Sequence, residues 1–132
     1  MIGLDTNIVV RLIVEDDPAQ SRRATRFVES HCTSASPGFI NRVTLCETIL
    51  VLKTGYGYDR DKIAAVIKRI TETSHFEVED RGHIQAALDA FGRGAIDFAD
   101  ALVAEGNSAR GCVATGTFDR KAAQLKGFVL VQ

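Results

Sequence analysis

Four carboxylates, Asp5, Glu47, Asp100 and Asp119, stand in apolar stretches spread over the chain, and Asp97 lies three residues before Asp100. Asp5 ends the apolar run Ile2-Gly3-Leu4. Glu47 has Val43 one turn before it and Leu50 and Val51 one turn after, with Cys46 beside it. Asp97 and Asp100 share a helix face by spacing, and Asp100 leads the otherwise apolar run Ala101-Leu102-Val103-Ala104, which predicts that it points inward. Asp119 sits in Thr117-Phe118-Asp119-Arg120. Hidden carboxylates without enough Lys or Arg beside them coexist only if protons or a divalent cation neutralise them. Such oxygen ligands favour Mg²⁺ or Mn²⁺ over zinc or copper.

Each acid also has an ordinary explanation. Asp5 could cap the helix that follows, although Thr6 and Asn7 could cap it equally well and leave Asp5 spare. Glu47 could lie at the edge of an apolar face with its head in water. Asp97 and Asp100 could form a solvated first turn favoured by the helix dipole. Asp119 could decorate a turn capped by Thr117. The joint pattern, not any single acid, points to a metal site. Asp59-Arg60-Asp61 is no calcium loop, because the glycine at the sixth place and the glutamate at the twelfth are missing.

Positioning these acids requires alternating strands and helices. Met1 to Leu4 is expected as a buried strand, Asn7 to Val14 as a helix, and Pro18 to about Cys32 as a second helix with Pro18 at its first position. Phe39-Ile40 is a short strand. Helices are expected over Val43 to Thr54 and Asp59 to about Thr73, then a strand over Phe76 to Val78. Further helices are expected at Asp80 to Phe91 and Asp97 to about Ser108. The chain then closes with a strand at Cys112 to Ala114, a short helix from Phe118 to Leu125 and a strand from Phe128 to Val131. This order predicts an α/β fold with a mostly parallel sheet and helices on both faces. In such sheets function sits at the carboxyl ends of the strands. Asp5 and Asp119 should lie on that edge.

The 132 residues suit a single domain spanning 1–132, and 45% hydrophobic with 25% charged residues is ordinary for a globular chain with a core. The net charge of −1 supplies no global field toward nucleic acid, so binding there needs a local basic patch. Arg11, Arg22, Arg23, Arg42, Lys53, Arg60, Arg120 and Lys121 are the candidates for such a rim. Cys32, Cys46 and Cys112 are far apart and odd in number, with no C-x-x-C pair. They are expected as buried reduced thiols of a cytoplasmic protein rather than zinc ligands. No secretory leader and no membrane-spanning run is expected.

The strings Leu4-Asp5-Thr6-Asn7, Leu45-Cys46-Glu47, Asp97-Phe98-Ala99-Asp100-Ala101-Leu102-Val103-Ala104 and Thr117-Phe118-Asp119-Arg120-Lys121-Ala122-Ala123 resemble, in order and spacing, PIN-domain ribonucleases. More narrowly, they resemble the VapC toxins of type II toxin–antitoxin pairs. The resemblance implies a three-layer α/β/α fold with a central sheet of 4–5 strands. It also implies Mg²⁺- or Mn²⁺-dependent hydrolysis of RNA. Its acidic quartet maps onto Asp5, Glu47, Asp100 and Asp119, Asp97 matches a frequent fifth acid, and Asn7 and Thr117 support the site. A homodimer and a cognate antitoxin protein are implied as partners. One departure stands out: Thr115-Gly116 occupies the approach to the Thr-Phe-Asp motif where an apolar strand residue is usual. Two other readings compete. One is a catalytically silent PIN-fold module that binds RNA or protein. The other is a haloacid-dehalogenase-like phosphohydrolase with Asp5 as nucleophile, against which Asn7 stands where that family's second aspartate belongs.

Overall fold

The computed structural model describes residues 1–94 and 96–132. It divides into two compact units, Met1–Arg81 and Gly82–Gln132.

The first unit is built on three short parallel strands, β1 (Ile2–Gly3), β2 (Gly38–Ile40) and β3 (Phe76–Val78), in that spatial order. Ile2 pairs with Gly38, and Ile40 with Val78. Parallel neighbours need crossovers. Here helices α1 (Thr6–Ile13) and α2 (Pro18–His31) join β1 to β2, and α3 (Arg42–Tyr56) and α4 (Arg60–Glu72) join β2 to β3. Side-chain caps start the helices: Gln20 N–H donates to Asp17, Thr44 N–H to Asn41 and Lys62 N–H to Asp59. Helix α3 stops at Gly57, whose φ of +66° suits a residue without a Cβ. Leu4, Val9, Ile40, Leu45, Leu52, Ile63, Ile67 and Val78 are buried. Gly38 is required by close approach: a Cβ there would lie 2.7 Å from Cys32 Sγ and 3.0 Å from Leu4 Cδ1.

The second unit holds α5, which begins at the boundary and runs Arg81–Gly92, then α6 (Phe98–Ala109) and two parallel strands, β4 (Thr115–Thr117) and β5 (Phe128–Leu130). Phe91 and Phe98 meet edge to face, ring centres 6.4 Å apart. Ile84, Ala87, Leu88, Ala101 and Leu102 are buried. All strand pairing in the described residues is therefore parallel, as the alternation of elements requires.

Two expected elements move. The strand expected at Cys112 to Ala114 lies at Thr115–Thr117, and Val113 is fully exposed. The end of α6 consumes the intervening residues. Gly111 N–H donates to Ser108 O, Cys112 N–H donates to Asn107 O, and Gly111 has φ +94°. The Asn107 amide then donates to Thr115 Oγ1 at 3.0 Å, fixing where pairing begins. Gly116 is thereby inside the strand, opposite Val129, and the bonds flanking it at Thr115 and Thr117 are intact. The helix expected over Phe118 to Leu125 shrinks to one 3-10 turn, Ala122–Gln124. Asp119 captures the N–H groups that start this turn, and Gly127 (φ +93°) already feeds β5, so no room remains for a longer helix. The thiols also differ from expectation: Cys32 is buried, Cys46 half-buried and Cys112 exposed.

Candidate metal centre

The carboxyl edge of the three-stranded sheet carries a polar residue after every strand. Asp5 follows β1, Asn41 follows β2, and Glu79 and Asp80 follow β3. Asp5 is itself the N-cap of α1, its Oδ1 accepting from Thr6 N–H at 2.8 Å. Of the caps the sequence left open, Asp5 is the one used, because β1 ends so close to the helix that the strand-terminal acid occupies the cap position. Thr6 turns its hydroxyl outward and donates to Glu47 Oε2 over 2.7 Å, across 41 residues of sequence. Asp5 and Glu47 are thus tied to the backbone and side chain of one threonine. Nothing in the spacing singles out this role of Thr6. The signal available was a hydroxyl residue directly after the strand-terminal acid.

Glu47 and Asp5 are exposed, as are Asp100 and Asp119. This corrects the expectation of hidden acids. On α3 the neighbours Val43 and Leu50 are themselves 65% and 59% exposed, so the apolar setting of Glu47 is a surface face and not an interior. Asp100 likewise does not point inward, because Ala101 and Leu102 supply the buried side of α6 one and two residues later.

At the far side of the sheet edge, Arg42 closes the exit of β3. Its backbone N–H donates to Glu79 Oε1 at 2.9 Å, and its guanidinium lies 3.5 Å from Asp80 Oδ2. Asp80 holds φ +51°, a left-handed conformation unusual for a residue with a side chain. Arg11 is also occupied: it pairs with Asp16, donates to Gln20 Oε1 at 2.8 Å, and has Tyr56 alongside. The hydrogen bond with Tyr56 and the Asp16 charge hold the Arg11 guanidinium above its ordinary value. Arg11 and Arg42 thus leave the set of cations available to a nucleic acid.

In the second unit, Asp97 is the N-cap residue of α6, without a side-chain cap bond, and Asp100 stands in its first turn. Desolvation raises the Asp100 carboxyl above the usual carboxylate value, and the charges of Asp97 and Asp119 raise it further. Asp119 follows β4. Thr117 Oγ1 accepts from Asp119 N–H at 3.0 Å, and Asp119 Oδ1 accepts from Lys121 N–H at 2.9 Å and Ala122 N–H at 3.3 Å. Thr117 therefore shapes the turn that presents Asp119. Asn7 is exposed on the first turn of α1. Burial pushes the Cys46 thiol up, so it stays a protonated neighbour of Glu47.

The donor set is oxygen throughout, and the charges gathered around Asp100 are those a hard cation would relieve. Among the described residues no three His, Cys, Asp or Glu side chains already stand at metal-holding spacing. The residues fit such an ion in kind; they do not form a ready-made cage. Within the first unit no described ion pair involves Asp5 or Glu47, and within the second none involves Asp100 or Asp119.

Parallel strands joined by helical crossovers, with acids at the strand exits, define an α/β protein of the class in which ligands bind at the carboxyl ends of the strands. A family model described as PIN domain matches residues 2–127, nearly the whole chain and both units. The chain belongs to the PIN-domain family, a nuclease fold, commonly metal-dependent. A search of curated proteins returned no significant match. Among the described residues no helix is long and apolar enough to cross a membrane.

Proposed function

We propose that residues 1–132 act as one PIN domain that cleaves RNA phosphodiesters with Mg²⁺ or Mn²⁺, as the toxin of a type II toxin–antitoxin pair of the VapC kind. The observation that carries this reading is the joint anchoring of Asp5 and Glu47 on Thr6 at the carboxyl edge of the sheet. Two acids from distant parts of the sequence are held where this fold class performs its chemistry. The order of acids in the sequence and the family match support it further.

In this reading Asp5, Glu47, Asp100 and Asp119 hold the ion, with Asp97 beside them. When bound, the ion supplies Lewis-acid activation of the scissile phosphate and a bound water of lowered pKa. The chain's own residues set the rest. Thr6 fixes one Glu47 oxygen, so the carboxylate spends less rotational freedom on engagement. The N–H groups of Lys121 and Ala122 hold Asp119 Oδ1 in the same way, and Thr117 Oγ1 holds the Asp119 backbone N–H. In this reading a water is the nucleophile, and the Thr6 hydroxyl, which donates to Glu47, serves to orient that carboxylate.

A homodimer and an antitoxin complete the proposal. Exposed Val43 and Leu50 on α3 and Val103 on α6 offer apolar surface of the kind partners cover. Purified chain free of any antitoxin, incubated with total RNA with and without Mn²⁺, tests the function. Metal-dependent cleavage abolished by EDTA and by Asp5→Asn supports it; RNA left intact under all conditions refutes it.

A further inference from the structure

Two of the arginines considered for a basic rim, Arg11 and Arg23, line one cleft in the first unit. Helices α1 and α2 enclose an open cleft of about 360 Å³, lined by Asn7, Ile8, Arg11, Gln20, Arg23 and Phe27 with Ala24, within the roughly 300–1,000 Å³ range of ligand sites. It starts at Asn7, two residues beyond Asp5. No carboxylate lines it.

Its chemistry is that of hydrogen-bond donors around an aromatic ring. Phe27 is 36% exposed, although its ring also stacks on His31, centres 4.3 Å apart and planes 25° from parallel. A surface aromatic already supported by a second ring is a platform on which a further planar group can stack. Arg23 lies one turn before Phe27 on the same helix face, is exposed, and forms no ion pair among the described residues of the first unit. Arg11 serves differently: its Nε donates to Gln20 Oε1 at 2.8 Å, which turns the Gln20 NH₂ away as a donor. A stacking ring, an uncommitted guanidinium and side-chain amide donors match an unpaired nucleobase with its phosphate. A base in a duplex keeps its faces covered and does not fit this arrangement.

We propose that the α1–α2 cleft is a subsite for single-stranded RNA beside the acidic edge, with one base stacked on Phe27 and its phosphate held by Arg23. This rests on the nuclease reading for its substrate class and adds the residues that bind the strand away from the cleaved bond. A protein ligand with an acidic segment is the competing occupant, and the test discriminates against it.

The test is fluorescence anisotropy of the full chain with a labelled single-stranded decaribonucleotide, its duplex, and an acidic decapeptide, all in EDTA so that cleavage plays no part. The expected result is binding of the single strand over the duplex. Phe27→Leu weakens it at least about fivefold, the lower bound for one lost base stack, and Phe27→Trp retains it. Arg23→Gln flattens the salt dependence by about 0.7 in the log–log slope, one phosphate contact on a single strand. Thermal melts confirm that the variants fold. In Mn²⁺-dependent cleavage of the same strand, Phe27→Leu raises KM and leaves kcat. Cleavage by the wild type with Kd and KM unmoved in Phe27→Leu and Arg23→Gln overturns the subsite while the nuclease reading stands. Strand binding that depends on Phe27 in a chain that never cleaves keeps the subsite and sinks the nuclease reading. Binding of the peptide and not of the RNA overturns the subsite.

Discussion

The Thr6 hydroxyl donates to Glu47 Oε2 at 2.7 Å and so ties the first residue of α1 to the middle of α3. The bond is exposed, so its net worth to folding is small, about 0.5–1.5 kcal/mol. Its use lies in orientation. Thr6→Val keeps the branched shape and removes the donor. Cleavage is expected to fall about three- to tenfold with Tm nearly unchanged, and Thr6→Ser is expected to restore it. Steady-state kinetics beside a thermal melt check both.

Replacing any one of Asp5, Glu47, Asp100 or Asp119 by its amide is expected to lower kcat about 100-fold or more, because charge stabilisation by a bound ion is worth several kcal/mol. If the four serve one ion site, the losses are far from additive: Asp5→Asn combined with Asp100→Asn costs little more than either alone. Multiplying losses would show that the acids act separately. Millimolar Mn²⁺ is expected to raise Tm of the wild type and not of the double variant.

The pH response of Asp100 has a definite sign. Desolvation and the charges of Asp97 and Asp119 place its carboxyl above the usual value of 3.8. Such a group ionises more readily in the unfolded chain, so stability is lost as pH rises from the ordinary carboxylate range through the raised folded value. Asp100→Asn removes that loss. The expected gain in metal-free Tm at pH 7 is about 1–2 °C, since like charges at an exposed site are strongly screened. The gain should vanish below pH 3.8. Metal competes with the proton for the same oxygens, so metal-dependent cleavage should climb with pH through the same window. Tm and initial rate measured from acid to neutral pH check both signs.

Gly38 allows β2 to lie against Leu4 and Cys32. A Cβ at 2.7 Å from the buried Cys32 Sγ forces a shift in packed surroundings, which typically costs about 1–3 kcal/mol. Gly38→Ala is expected to lower Tm by several degrees, and adding Cys32→Ala is expected to recover part of the loss. An unchanged melt for Gly38→Ala would contradict this packing.

Much of the fold was legible because it is written in local signals. Pro18 after Asp17 marks the start of α2, Gly57 ends α3, and the apolar run of Ile2 to Leu4 stops at Asp5, as the alternation of elements requires. Asp119 was legible as a residue after a strand, but the strand itself was displaced by three residues. The C-terminal cap of α6 through Gly111 and Cys112 competes with pairing for the same backbone groups, and hydropathy does not register that competition.

The sequence by itself determined the element order, the parallel pairing that this order demands, and the acids available for chemistry, because periodicity and capping act between near neighbours. Only the tertiary structure decided the exposure of those acids and the binding of Glu47 by Thr6. It alone sorted the cations as well, into Arg11 and Arg42, held by carboxylates, and Arg23, which forms no ion pair among the described residues of the first unit. Those outcomes depend on which side chains distant in sequence arrive within about 3–4 Å of one another, and that is set by packing.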